Sequence, residues 1–223
     1  MSSSITRHKR IIPPFKKFGY TSLAEYDQYT MSIQELRIFL DSPTEKKKNT
    51  ISQRERYEAM GAPPEIMEFV KFGGGPAMGA KCERFTRSKF TVLQNRKKGK
   101  GQSGHDQVAI IDGKEITGEE KSGGLHADGD FMWEHIEPNH PWDFLLFCGI
   151  YYHEIKFWVI DRKKFNELVD EQKITKQGNK AGDSYEGFWC KYSNVKDSLT
   201  EIKTNDDLVA FLKQIVTEEV PVA

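Results

Sequence analysis

Gly104-His-Asp-Gln-Val-Ala-Ile-Ile-Asp-Gly-Lys-Glu-Ile-Thr-Gly-Glu-Glu-Lys121 is the stretch that organises the rest of the chain. Two short strands are expected, Gln107 to Ile111 and Lys114 to Thr117, separated by Asp112-Gly113, among the strongest two-residue hairpin signals. A two-residue loop pairs Ile111 with Lys114, so paired residue numbers sum to 225 and Asp106 falls opposite Glu119. Counting outward from the closing pair makes theirs a non-hydrogen-bonded pair, with β-carbons about 4.5 to 5.5 Å apart. Lys121 lies two residues beyond Glu119, on the same face by strand alternation and about 6 to 7 Å further along.

Directly opposed carboxylates destabilise a hairpin, and a divalent cation compensates them through the short oxygen contacts that Mg²⁺ prefers. Asp106 and Glu119 are therefore the candidate metal ligands. Glu120, whose side chain points to the other face, can still offer its backbone carbonyl. The pattern has a ready chemistry: the cation lowers the pKa of a bound water, and the Lys121 ammonium positions that water and neutralises charge on a phosphate.

The flanks extend the pattern on both sides. Ala77 to Lys89 permits a helix, and Phe90-Thr91-Val92-Leu93 opens a β-rich region. Phe144 to Tyr152 and Ile155 to Ile160 are near-continuous apolar runs, expected as central strands buried on both faces. A helix is expected from about Arg162 to Glu171, and Leu208, Phe211, Leu212, Ile215 and Val216 mark one face of a terminal helix. Upstream, Ser22-Leu23-Ala24-Glu25 has the capping-box form before an amphipathic helix reaching Leu40. Ser52 to Met60 and Pro63 to Phe72 suggest two shorter helices. Gly73-Gly74-Gly75-Pro76 is a break, not a phosphate-cradling loop, because no Gly-Lys-Ser/Thr follows it.

Gly104-His105-Asp106 followed by Glu119-Glu120-Lys121 after a short hairpin resembles the PD-(D/E)XK nuclease superfamily, and type II restriction endonucleases within it. The resemblance covers roughly residues 76 to 161. It implies an α/β fold: a restriction-endonuclease-like three-layer αβα core with a mixed central sheet, to which a helical N-terminal region is added. It implies Asp106 and Glu119 as metal ligands, Lys121 as the catalytic lysine, and Glu83 as the counterpart of a helix glutamate seen in many members. His105 stands where the family has proline, a departure that removes no chemical group. Phe131-Met-Trp-Glu-His-Ile136 is expected as a short helix ahead of the strand from Phe144, with His135 placed to contact a phosphate. No role is carried to the Gly- and Lys-rich stretch from Thr175 to Tyr192.

Composition agrees with an enzyme acting on a polyanion only when position is considered. The 223 residues carry 33 basic and 33 acidic side chains, a formal net charge of zero, but the charges are segregated. Lys81, Arg84, Arg87, Lys89, Arg96, Lys97, Lys98 and Lys100 are opposed locally by Glu83 alone, and the next stretch is acidic from Asp106 to Glu137. Arg84, Arg87, Lys97, Lys98 and Lys100 are the candidate DNA-binding residues. Aromatic residues at 12% exceed what a disordered chain carries, and no apolar run approaches the roughly 18 residues of a membrane helix. Cys82, Cys148 and Cys190 form no Cys-x-x-Cys pair and read as reduced, buried thiols of an intracellular protein.

The expected organisation is a flexible basic arm over residues 1–20, a helical region over 21–75, and the catalytic core with its C-terminal helix over 76–223. The expected activity is Mg²⁺-dependent (or Mn²⁺-dependent) endonucleolytic cleavage of double-stranded DNA, sequence-specific and carried out by a homodimer. Three rival readings stand beside it. A structure-specific repair or recombination nuclease would employ the same trio. An HNH-like site would use Asn139-His140, but Pro141 and a long buried strand follow where a ligand-bearing helix is required. A non-catalytic nucleic-acid-binding module would use the basic residues alone, and would gain nothing from acids in its groove.

Overall fold

The computed structural model describes residues 52–71, 75–95, 104–177 and 187–218, and the chain divides into two units, Met1–Gly73 and Gly74–Ala223. The basic arm, the helix expected from Ser22 to Leu40, and Lys97, Lys98 and Lys100 lie outside the described residues. In the first unit, α1 (Gln53–Ala59) starts at Ser52 through a capping box, its hydroxyl accepting from Glu55 N–H at 3.2 Å while Glu55 accepts from Ser52 N–H at 2.9 Å. Helix α2 (Pro64–Val70) follows with proline at its first position, where no intrahelical donor is lost.

The second unit opens with α3 (Gly75–Lys89) and continues through β1 (Leu93–Asn95), β2 (Gln107–Ile111) and β3 (Lys114–Gly124). After β3 come β4 (Met132–Ile136), β5 (Phe144–Ile150), β6 (Ile155–Asp161) and α4 (Arg162–Asp170). Strands β7 (Ile174–Lys176) and β8 (Phe188–Lys191), the short α5 (Tyr192–Val195), β9 (Thr200–Ile202) and α6 (Asn205–Glu218) complete it. Six strands form a mixed sheet in the order β1-β2-β3-β5-β6-β9, with β3 and β5 parallel and the other pairs antiparallel. The hairpin register is the expected one, from Ile111 opposite Lys114 to Gln107 opposite Gly118. Its turn residue Asp112 takes φ +50° and Gly113 φ +82°, the positive values that a type I′ turn requires.

The two faces of this sheet are covered differently. Helix α3 lies on one, where Phe85 and Phe90 meet Phe157 and Thr86 meets Glu120. The other face carries Glu119, Lys121, Leu145, Phe147 and Trp158, which are neighbours in the β3, β5 and β6 registers. A second, three-stranded sheet in the order β4-β8-β7 covers it, with Trp133 4.4 Å from Phe147 between ring centroids. Helix α4 contributes Phe165, edge-on to Trp142 and Phe188.

The segment from Phe131 to Ile136 is thus a strand and not the expected helix. Phe131 and Trp133 are buried with Met132 between them less so, the two-residue period of a strand. A bulge between Trp133 and Ile136, with His135 at φ +56°, then turns Ile136 back inward and hides that period in the sequence. The parallel crossover from β3 to β5 therefore passes through β4 without a helix. Cys82, Cys148 and Cys190 are buried and free. Among the described residues no helix is long and apolar enough to cross a membrane.

Candidate active site

Asp106, Glu119 and Lys121 meet where β3 enters the sheet. The β2–β3 ladder ends at Gln107, and Asp106 continues it in another way: its N–H donates to Gly118 O at 2.9 Å while its Oδ2 accepts from Glu120 N–H at 3.0 Å. Asp106 therefore bridges the residues on either side of Glu119, and its carboxylate is held by the β3 backbone. A strand residue directs its N–H and C=O to the same side, so the Glu120 carbonyl also points toward Asp106.

Lys121 donates to Glu119 Oε1 at 2.7 Å, and the two side chains are only 18% and 9% exposed, so this ion pair is shielded from water. Burial lifts the Glu119 carboxyl above its ordinary range; Lys121 opposes that shift, the Asp106 charge adds to it, and His140 also opposes it. Two adjacent carboxylates with one cation leave a net negative site.

Glu120 belongs to the opposite face. Its Oε1 accepts from Thr86 Oγ1 at 2.8 Å and its Oε2 from Gln107 Nε2 at 2.7 Å, while Gln107 Oε1 accepts from Arg87 Nη1 at 3.0 Å. Burial raises this carboxyl to about 8, against which the two hydrogen bonds work only partly. Between the ordinary 4.5 and about 8 the folded chain keeps a proton that the unfolded chain has released, so this group's contribution to stability falls as pH rises through that window. The neutral acid can donate from Oε1 to Thr86 and accept at Oε2 from Gln107, a pattern that a glutamine amide reproduces. Glu120→Gln should therefore be more stable than the wild type by roughly 3–5 kcal/mol at pH 8.5 and by little at pH 4.5. Urea unfolding of both proteins across that range measures the difference, and parallel pH profiles would contradict it.

The remaining candidates are spread over both faces. Glu83 lies on α3, 3.7 Å from Arg87, and its charge acts on Glu120 rather than on Glu119. Arg84 is exposed on the same helix, and Arg87 is half-buried with one nitrogen engaged on Gln107. His135 sits exposed on the β4 bulge, its N–H donating to Gln177 Oε1 at 2.9 Å. An open groove of about 590 Å³ with Asp161, Arg162, Asp170 and Phe211 in its walls contains none of the three central residues.

Thr86 and Gln107 were not among the expected site residues, and His140 figured only in the HNH-like alternative. Gln107 was within reach, since the hairpin register puts it on the face of Glu120 and next to it diagonally. Thr86 and His140 arrive through packing of a helix and a loop onto the sheet, for which the sequence carries no local signal.

A divalent cation fits this donor set. Among the described residues no three His, Cys, Asp or Glu side chains are gathered to enclose one. Two carboxylates with a backbone carbonyl suit Mg²⁺, which keeps several waters and shares its shell with substrate phosphates. A cation there would also relieve the repulsion that helps raise Glu119. No family model matches the sequence, and neither a curated protein nor a solved structure shows significant similarity to it.

Proposed function

We propose that this chain is a Mg²⁺-dependent endonuclease hydrolysing phosphodiester bonds in double-stranded DNA, a sequence-specific enzyme of the type II restriction class with a restriction-endonuclease-like core, acting as a homodimer to cut both strands. The observation that carries the reading is the Lys121–Glu119 pair beside a backbone-anchored Asp106. The strand found where a helix was expected in the crossover leaves the order helix, three antiparallel strands and a parallel strand in place. The proposal accordingly rests on the trio and on that order.

Asp106, Glu119 and the Glu120 carbonyl would hold the cation, which supplies positive charge to the phosphate and acidity to water. Lys121 has two further ammonium protons beyond the one it gives Glu119. These orient the attacking water and neutralise charge gathering on the phosphate oxygens. Water oxygen bonds to phosphorus in line as the bond to the 3′ oxygen breaks; the water releases a proton to solvent, the departing 3′ oxygen takes one from it, and the products are a 5′-phosphate and a 3′-hydroxyl.

Phage DNA incubated with the protein in Mg²⁺ should give discrete fragments that are absent in EDTA. A smear would remove sequence specificity, and inertness toward duplex, branched and single-stranded DNA and RNA would overturn the assignment. Lys97, Lys98 and Lys100 replaced together by alanine should weaken binding to all sequences and reduce the slope of log K against log salt by about 0.9 per lysine. An unchanged slope would put the DNA path elsewhere.

A further inference from the structure

The loop from Glu137 to Asp143 is held at nearly every turn. Arg162 donates from Nε to Trp142 O at 2.6 Å, from Nη1 to Pro138 O at 2.7 Å and from Nη2 to His140 O, while its guanidinium lies 4.0 Å over the Trp142 ring. Trp142 Nε1 and His140 N–H both donate to Glu137 O, at 2.9 and 3.2 Å. From the β3 side, Thr117 donates its hydroxyl to Pro141 O at 2.6 Å and its N–H to Asp143 Oδ2 at 2.7 Å, and its carbonyl accepts from Asp143 N–H at 2.8 Å. None of these bonds uses the His140 side chain.

The His140 imidazole packs against the turn that delivers Asp106. Gly104 there has φ +64°, and a β-carbon on it would come within 3.1 Å of His140 Cβ and Cγ. Gly104 stands two residues before Asp106, so the ring lies beside the turn that leads into the carboxylate pair. The ring is half-buried, and Nδ1 is the buried nitrogen, with no hydrogen-bond partner among the described residues. An unpartnered buried N–H is rarer and costlier than an unpartnered lone pair, so the neutral ring carries its proton on Nε2, the nitrogen toward solvent. The loop thus presents one N–H donor beside the turn that leads into Asp106.

We propose that His140 is a substrate-contacting residue of this site, its Nε2–H donating to a non-bridging oxygen of the DNA phosphate bound beside Glu119 and Lys121. This deepens the nuclease reading and rests on it. Preorganised donors of this kind act most when charge accumulates on the phosphate, so the loss should fall on the chemical step more than on affinity.

The test is single-turnover cleavage of a duplex by the full chain in Mg²⁺, comparing wild type, Glu119→Ala, His140→Ala and His140→Gln, with melting temperatures alongside. His140→Ala should cleave roughly 100-fold more slowly at saturating enzyme while its affinity for DNA changes less than about threefold. His140→Gln, which keeps an amide N–H near the Nε2 position, should recover much of that rate. A single methylphosphonate in place of the contacted phosphate should slow the wild type and add little to the defect of His140→Ala. A wild type that cuts while both His140 variants cut at its rate overturns the role of His140 and leaves the nuclease assignment standing. Equal loss in His140→Ala and His140→Gln, with additive methylphosphonate effects, assigns the residue to structure and also overturns it. A wild type that cuts nothing, or no better than Glu119→Ala, overturns both readings together.

Discussion

Lys121→Ala is expected to lower the single-turnover cleavage rate by about 10² to 10⁴-fold while DNA binding stays within a few-fold of wild type. The expectation follows from what Lys121 contacts. Its ammonium is bonded to one carboxylate oxygen and, in the proposed mechanism, gives its remaining protons to the water and the phosphate. Removing it also leaves Glu119 buried beside Asp106 with no lysine to oppose the effect, so its carboxyl should climb further above its ordinary range. Cation affinity should fall for that reason, and raising Mg²⁺ should restore binding of the ion without restoring the rate. Arginine at 121 should not rescue, because a planar guanidinium cannot supply the same compact charge from the same position. Quench-flow or gel kinetics over a Mg²⁺ series checks this, and a variant cutting at wild-type rate removes Lys121 from the mechanism.

Arg162→Ala should destabilise the second unit by roughly 3–5 kcal/mol, the scale of breaking a half-buried charged hydrogen-bond network. Three carbonyls of one loop lose their donor at once, and Trp142, fully buried, loses the cation stacked on its ring. Lysine should recover little, since one ammonium cannot reach three carbonyls set out for a fork. Because the same loop carries His140 and joins β3 through Thr117 and Asp143, the surviving folded fraction should also bind DNA less well. Urea unfolding at neutral pH measures the first effect, and a loss under about 1 kcal/mol would contradict this account of the loop.

Much of the sheet was legible because its signals are local. Asp112-Gly113 set the register, alternation put Glu119 and Lys121 together, and the apolar runs at 144–150 and 155–161 could only be buried strands. The failures share one cause, that the deciding partner is distant in sequence. Strand β4 is recognisable only from its pairing with β8, some 55 residues later, and its bulge erases the alternation that would have marked it. Strands β7 and β8 are short and pair chiefly with each other and with β4. The expected pairing of Asp106 across from Glu119 became a side-chain bond to Glu120 N–H, a choice open to an aspartate at the end of a ladder and invisible to register arithmetic. Arg87, read from charge alone as a phosphate contact, has one nitrogen on a glutamine that only the fold brings near. His140 is the clearest case, since neither its neighbours nor its spacing in the sequence points to Glu119.

The central claim is that Asp106, Glu119 and Lys121 hydrolyse phosphodiester bonds with a divalent cation. The most direct measurement is cleavage of supercoiled plasmid in Mg²⁺ by wild type, Asp106→Asn and Glu119→Ala, each purified in parallel and shown to be folded, with the ends of any product mapped. The account predicts that wild type alone cuts, that EDTA stops it, and that the ends are 5′-phosphate and 3′-hydroxyl. Equal cutting by all three proteins, or none by the wild type on any nucleic acid, would contradict it.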